Sequence, residues 1–508
     1  MIAFSPRLVL IPFLVFLCAS AATAQNTRLT AFISDTHFGV GKTPDGKWHP
    51  YEDARWATEF KLFLEELDRQ GNGNTDLIFN GDTFELWQSL ENDCTYPDEN
   101  LSCTEQEALH RLGIVIAAHQ PELDAIRAFA TSGANTVVIL PGNHDVALRF
   151  PQVAAEVLRA IGAPPDRVRI PTESYWLSAD GLIYAEHGHQ IGRDTNKFSN
   201  WPAPFIEKNG VTYLQRPWGE QFVQRFYNRY EAKYPIIDNI MGESTGVKYG
   251  IAAEGILQVQ NAIGRFVVFN LLQSSFTQVG QFLGGRDGVR WDTAAIRKRG
   301  NRFFAESIPS DDPLRAVVEK AISDGNLGIE LSDLKDAEIQ SICDVRAAII
   351  AEDTRNHKTP RLTPCPKASL GGLAAAVIAS RDSIFQAHLT DTLARLRRSG
   401  NTKPFSLFVF AHTHDAEASY SPFNKSRSSW KPIVVNDGAW QRTISKEQLE
   451  NEMRRRNLRT QEVLTLQPED LPACYPVVTV PPYSTTPRSF LRYWKQVGNG
   501  WMFSDTCN

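Results

Sequence analysis

"TVVILPGNHD", residues 136–145, runs five β-forming residues into a Pro-Gly break and then into three polar side chains, Asn143, His144 and Asp145. A short continuous run of this kind reads as a buried strand, and Pro and Gly punctuate its end. Asn, Asp and Gly are also ordinary turn residues. The stretch alone therefore supports either a plain turn or a strand end that carries chemistry. Comparable runs decide between them: "LTAFISD" at 29–35, "DLIFNGD" at 76–82, "GLIYAEHGH" at 181–189, "SLFVFAHTH" at 406–414 and "KPIVVNDG" at 431–438. Helical patterns lie between the first three strands in chain order, at about 52–69 and 104–131. This alternation predicts βα units and an α/β class. Polar residues just past strand ends are where such folds place ligands.

Five of these strand ends supply a coherent donor set. They contribute Asp35 and His37 in "DTH", Asp82 and Glu85 in "GDTFE", and Asn143, His144 and Asp145 in "GNHD". His187 and His189 follow in "HGH", and His412 and His414 in "HTH". Any one of them alone fits a capping or packing residue; together they point to metal. Imidazole, carboxylate and amide oxygen suit dications such as Mn, Fe or Zn. Residues two apart on an extended segment face the same way. On that ground Asp35 and His37 can face one ion, and His412 and His414 can share one. The two oxygens of Asp82 can bridge a pair of ions, and such a pair can clamp a phosphate and generate hydroxide. The motifs contain no cysteine, which argues against a structural zinc site.

The remaining composition sets bounds. The chain has 508 residues, 42% hydrophobic and 22% charged, with a formal charge of -5 and a pI near 6.2. It offers no basic field for nucleic acid, so no nucleic-acid partner is expected. Arg7, the apolar stretch "LVLIPFLVFLCASAA" and the "ATA" at Ala22–Ala24 read as a secretory signal peptide over 1–24. An uncleaved anchor is the alternative. Leu17 precedes Cys18 where a lipoprotein site needs a small residue, which speaks against lipidation. The reading places the protein outside the cytoplasm, periplasmic or secreted. Removing Cys18 leaves six cysteines, an even number that suggests disulfides in an exported chain. Their grouping favours Cys94–Cys103, Cys343–Cys365 and Cys474–Cys507.

The strand ends up to His189 come in quick succession, and the next follows only after a long gap. The chain is therefore divided into an α/β core at 25–194, a mainly helical insertion or cap at 195–400, a second core part at 401–445 and a C-terminal extension at 446–508. The clearest helix of the insertion is expected at about 250–284, around "RFVVFNLLQ". It is apolar on more than one face, which fits a buried helix or a contact with a membrane surface or lipid.

Through "DTH", "GDTFE", "GNHD", "HGH" and "HTH" the sequence resembles the calcineurin-like metallophosphoesterases, over about 29–190 and 405–440. The resemblance implies a four-layer αββα sandwich and two divalent metal ions. It implies that Asp35, His37, Asp82 and His414 hold one ion, and Asp82, Asn143, His187 and His412 the other. His144, with Asp145 behind it, would serve the leaving group, and Glu85 would orient ligands from outside the metal shell. His189 either touches substrate or is structural, and Arg193 and Lys197 are candidate phosphate contacts or plain surface charges. Ala411 stands where the family usually has Gly, and Glu85 where purple acid phosphatases have a metal-binding Tyr. The second departure sets the chain outside that branch. "GDTFELW" and the early "HGH" look most like the branch containing UDP-2,3-diacylglucosamine pyrophosphohydrolase, a cytoplasmic-side activity that the export signal argues against. The expectation is an exported phosphoesterase in which a metal-bridged hydroxide attacks the phosphorus of a small or lipid-linked ester. A non-catalytic metal-containing binding protein and a phospholipid or glycolipid pyrophosphatase stay open as alternatives.

Overall fold

The apolar runs become strands that stop just before their polar clusters. A computed structural model describes residues 26–507 apart from 89–93, 99, 193–195, 225–227, 242–290, 311, 326, 328, 356–358, 369–380, 402, 425 and 484. The expected signal peptide, Arg193 and the apolar helix at 250–284 lie outside the described residues. The described strands are β1 (Leu29–Ile33), β2 (Thr75–Phe79), β3 (Leu101–Thr104), β4 (Thr136–Ile139), β5 (Val168–Arg169), β6 (Trp176–Leu177), β7 (Ile183–Ala185), β8 (Phe205–Lys208), β9 (Val211–Gln215), β10 (Leu407–Phe410), β11 (Glu417–Tyr420), β12 (Ile433–Asn436), β13 (Cys474–Val480), β14 (Phe490–Val497) and β15 (Gly500–Ser504). They form a seven-stranded sheet in the order β15-β14-β13-β1-β2-β4-β5, a five-stranded sheet β11-β12-β10-β7-β6 and a three-stranded sheet β3-β9-β8. β1, β2, β4 and β5 pair in parallel, and so do β7, β10 and β12. The architecture is mixed α/β.

Strand alternation sorts the apolar side chains onto two faces. Phe32, Ile78, Val138 and Val478 of the larger sheet share a buried cluster with Ile183, Ala185, Leu407, Val409 and Val435 of the five-stranded sheet. Their neighbours Ala31, Ile33, Leu77, Phe79, Val137 and Ile139 face the other way, into a cluster with the helices α1 (Ala57–Gly71), α2 (Glu105–Ala118), α3 (Gln120–Thr131) and α4 (Pro151–Ile161). On the five-stranded sheet Tyr184, Phe408, Phe410 and Val434 pack with Ile384, Phe385, Leu389, Leu393 and Leu396 of the helix Arg381–Arg398.

The helices form for local reasons as well. In α1, Phe60, Phe63, Leu64 and Leu67 recur at helical spacing and are all buried, each stabilising the fold by about 1.5–3 kcal/mol. The helical pattern expected over 104–131 is two helices. Thr104 caps α2 in a capping box with Glu107, and Pro121 at the start of α3 forces the break at His119.

Two expected boundaries move. The segment after 446 is not an appendage, because β13 pairs antiparallel with β1, and β14 and β15 extend the same sheet. The helix Arg381–Arg398 belongs with the five-stranded sheet rather than with the insertion. The insertion has a core of its own around Ile237, Phe303, Val318, Ile339 and Ile342, which Leu449, Val463 and Leu464 from beyond the second core part help to close. Disulfides join Cys94 to Cys103, Cys343 to Cys365 and Cys474 to Cys507, the pairing expected from sequence. No helix among the described residues is long and apolar enough to cross a membrane.

Candidate metal centre

The parallel strands of both sheets end at one place. The loops after β1 and β2 run side by side: Asp35 N–H donates to Gly81 O (3.1 Å), His37 N–H to Asp82 O (3.1 Å) and Phe38 N–H to Thr83 O (2.9 Å). From the five-stranded sheet, Ala411 N–H donates to His187 O (2.8 Å) and ties the loops after β7 and β10 together. The backbone of His412 then reaches across to Asp35 Oδ2 at 3.4 Å.

Asp35, Asp82, His37, His412 and His414 all hold a left-handed backbone, with φ of 48°, 50°, 44°, 75° and 58°. Such conformations cost a non-glycine residue on the order of 1 kcal/mol or more, and they concentrate where function requires them. The extended-segment argument for these pairs therefore fails in detail. Asp35 and His37 do face one point, but His412 and His414 split between two groups. Ala411 is outside the left-handed residues and is fully buried, so its methyl is accommodated without strain.

Asp35, His37 and His414 form the first group, with one donor atom from each within 4.8 Å of the others. His414 Nε2 is 3.3 Å and His37 Nε2 3.9 Å from Asp35 Oδ1. Asp35 Oδ1 and His37 Nε2 are buried without a hydrogen bond. Two buried polar atoms with no hydrogen bond, converging on one point beside His414, are what a bound cation would satisfy. Asp82, His187 and His412 form the second group. His187 Nε2 lies 2.9 Å from Asp82 Oδ2 and 3.1 Å from Asn143 Oδ1, which brings the expected amide ligand to the same point. These buried His and Asp clusters can hold metal.

Neighbouring groups aim these side chains. His187 Nδ1 sits 2.9 Å from Asn80 O, leaving Nε2 for the centre. His37 Nδ1 sits 3.0 Å from Glu85 Oε2. The other Glu85 oxygen accepts from the N–H groups of Trp87 and Gln88. Close packing holds the loops in place. A Cβ on Gly142 would stand 2.1 Å from Asp82 Oδ1, and one on Gly81 2.3 Å from His187 Nδ1.

The expected pairing of Asp145 with His144 is not found. Asp145 accepts from Gly142 N–H (2.7 Å), Thr83 N–H (2.8 Å) and Phe84 N–H (3.3 Å), so its carboxylate is spent on the two loop backbones. His144 instead places Nδ1 2.5 Å from Glu85 Oε2, with Trp87 4.2 Å away and its own N–H on Asp82 Oδ1 at 2.8 Å. His189 is buried, both ring nitrogens lack a hydrogen bond, and Trp201 meets it edge-on at 4.4 Å.

The charges are strongly coupled. Burial opposes ionisation of Asp35 and Asp82, but the surrounding histidines, His187 foremost, together outweigh it and hold both below the usual carboxylate range. Burial also works against the charge of His187, yet Asp82 and Asp35 lift it to about 9. Burial and the neighbouring His187 push His412 down to about 3, and the same influences with His412 keep His189 neutral. Burial and then Asp82 raise Asp145 to about 7.

Sequence reasoning overlooked two groups. Asn196 Nδ2 lies 3.3 Å from His412 Nε2. Its signal was the polar "DTNK" after "HGH", where Arg193 and Lys197 drew the attention. Asp437 accepts from Ser34 Oγ at 3.1 Å and sits against Asp35, whose charge, after burial, raises it well above its ordinary value. It belongs to the sixth strand end, "VVNDG", which named no ligand. No family model matches the chain, and no curated protein matches it.

Proposed function

We propose that this chain is an exported, metal-dependent phosphoesterase of the calcineurin-like kind, built as a four-layer αββα sandwich with a helical insertion. The observation that carries the reading is the convergence of Asp35, His37 and His414 with Asp82, His187 and His412 from the ends of two sheets. The three apolar clusters, one between the sheets and one on each outer face, support the layer order. Three disulfides fit an oxidising compartment.

In this reading Asp35, His37 and His414 would hold one divalent ion, Mn, Fe or Zn, and Asp82, His187, His412 and Asn143 would hold a second. The chemistry such ions supply is Lewis acidity at the phosphoryl oxygens and a water acidified toward neutral pH. The chain supplies the rest. Glu85 fixes the rings of His37 and His144 through one carboxylate oxygen. His144, with Nδ1 engaged, offers Nε2 to the leaving oxygen and delivers the proton it needs. Asp145 clamps the loops that carry Asp82 and His144. The substrate is a small or lipid-linked phosphate ester.

Purified protein loaded with manganese is expected to carry two ions per chain and to hydrolyse an activated aryl phosphate mono- or diester. Metal chelation should abolish the activity and re-addition restore it. Bound metal without turnover across monoesters, diesters and pyrophosphates would instead favour a binding protein.

A further inference from the structure

A second acidic assembly lies outside the histidine-rich centre. Asp53 comes from the loop between β1 and α1, Glu231 ends the short helix Asn228–Glu231, and Asp238 follows in the next loop. One carboxylate oxygen from each lies within 4.8 Å of the others. Glu231 is 0% and Asp53 8% exposed. Glu231 Oε1 and Asp238 Oδ1 are buried without a hydrogen-bond partner. The neutral amide of Gln88 donates to Glu231 Oε2 at 2.6 Å. Among the described residues no Lys, Arg or His side chain forms an ion pair with any of the three.

Three carboxylates gathered out of water repel one another, and burial penalises each charge further. The fully buried Glu231 contributes a carboxylate oxygen to the group, and with Gln88 satisfying Oε2 its Oε1 is left without a partner. The spacing has the right size for an ion: ligand oxygens at about 2.3–2.6 Å from a calcium ion lie at most about 5 Å apart. The donor chemistry differs from that of the main centre. Histidine nitrogens there suit borderline transition ions, whereas an all-oxygen group suits a hard one.

We propose that Asp53, Glu231 and Asp238 form a third cation site, for a hard divalent ion of the calcium type, that fastens the start of the insertion to the metal-bearing core. Asp53 lies on the core side of this contact, and Glu231 and Asp238 on the insertion side. The site adjoins the main centre, because the backbone N–H of Gln88 donates to Glu85 Oε1 at 2.9 Å while its side chain holds Glu231. Cation binding therefore steadies the segment that carries Glu85. The proposal stands apart from the phosphoesterase reading, since it needs no catalysis.

The test is calorimetric titration of calcium chloride into full-length protein pre-saturated with manganese, with metal content read by mass spectrometry. One calcium per chain beyond the manganese is expected. Glu231→Gln, and separately Asp53→Asn, should weaken calcium binding at least tenfold while manganese content stays at the wild-type value. Absence of calcium uptake by the wild type, or equal affinity in both variants, overturns the proposal. Heat from tetramethylammonium chloride in place of calcium also overturns it, by marking an organic-cation pocket. If a variant fails to fold, the wild type still decides: calcium should raise its thermal midpoint by several degrees, and an unmoved midpoint counts against the site. Protein lacking manganese counts against the main centre alone, because loss of calcium binding in the variants still reads the triad.

Discussion

His144 and Asp145 are adjacent, yet they serve different partners. His144 leans on Glu85 and Trp87, while Asp145 is spent on backbone N–H groups. Their replacement should therefore differ in kind. His144→Ala is expected to lower kcat by about 10²-fold or more with manganese content unchanged. Steady-state kinetics alongside metal analysis checks this, and an unchanged rate removes His144 from the mechanism. Gly142→Ala should act through space rather than chemistry, because the added methyl would meet Asp82 Oδ1. Loss of bound metal is expected in this variant, read by metal content after dialysis. At this scale the residues that gather at the strand ends were legible in the sequence, because Asp, Asn and His in short motifs are chemically conspicuous. Sequence reasoning missed Asn196, whose meeting with His412 brings together side chains 216 positions apart in sequence.

At the scale of elements, the loops after β1 and β2 are held by the helices behind them. His119, at the break between α2 and α3, stacks on Phe38 at 5.0 Å, one residue from His37, and lies 3.2 Å from Glu52 and 3.4 Å from Glu122. Burial pulls its pKa down, but the charge of Glu52 and the hydrogen bond to Glu122 prevail and raise it to about 9 from 6.5. A folded-state value above the unfolded one means that the charged ring stabilises the fold fully below about pH 6.5 and ceases to as pH rises through 9. The contribution is on the order of 3 kcal/mol. Urea denaturation from pH 6 to 9.5 should show the wild type losing more stability than His119→Gln over that interval, and parallel profiles would refute the assignment. The apolar runs made β1, β2, β4, β7, β10 and β12 readable, since a buried parallel strand needs little besides continuous apolar character. β14 was not readable in the same way, because most of its side chains are exposed or half-buried.

The whole molecule depends on its last residues. β13 carries Val477, Val478 and Val480 into two buried clusters and supplies the antiparallel partner of β1. Truncation before Cys474 should therefore leave the chain insoluble or unfolded, measured by circular dichroism and limited proteolysis. A folded, metal-binding product would contradict that role. Sequence alone indicated the α/β class, the strand ends on which Asp, Asn and His gather and the favoured cysteine pairing, because these rest on local apolar pattern, residue chemistry and proximity along the chain. Tertiary structure decided that Glu85 rather than Asp145 holds His144, that Asn196 meets His412, that the tail completes the larger sheet, and that Asp53 meets Glu231 and Asp238. Those outcomes depend on left-handed loop conformations and on sheet register between distant segments, and neither leaves a periodic trace in the residues that adopt it.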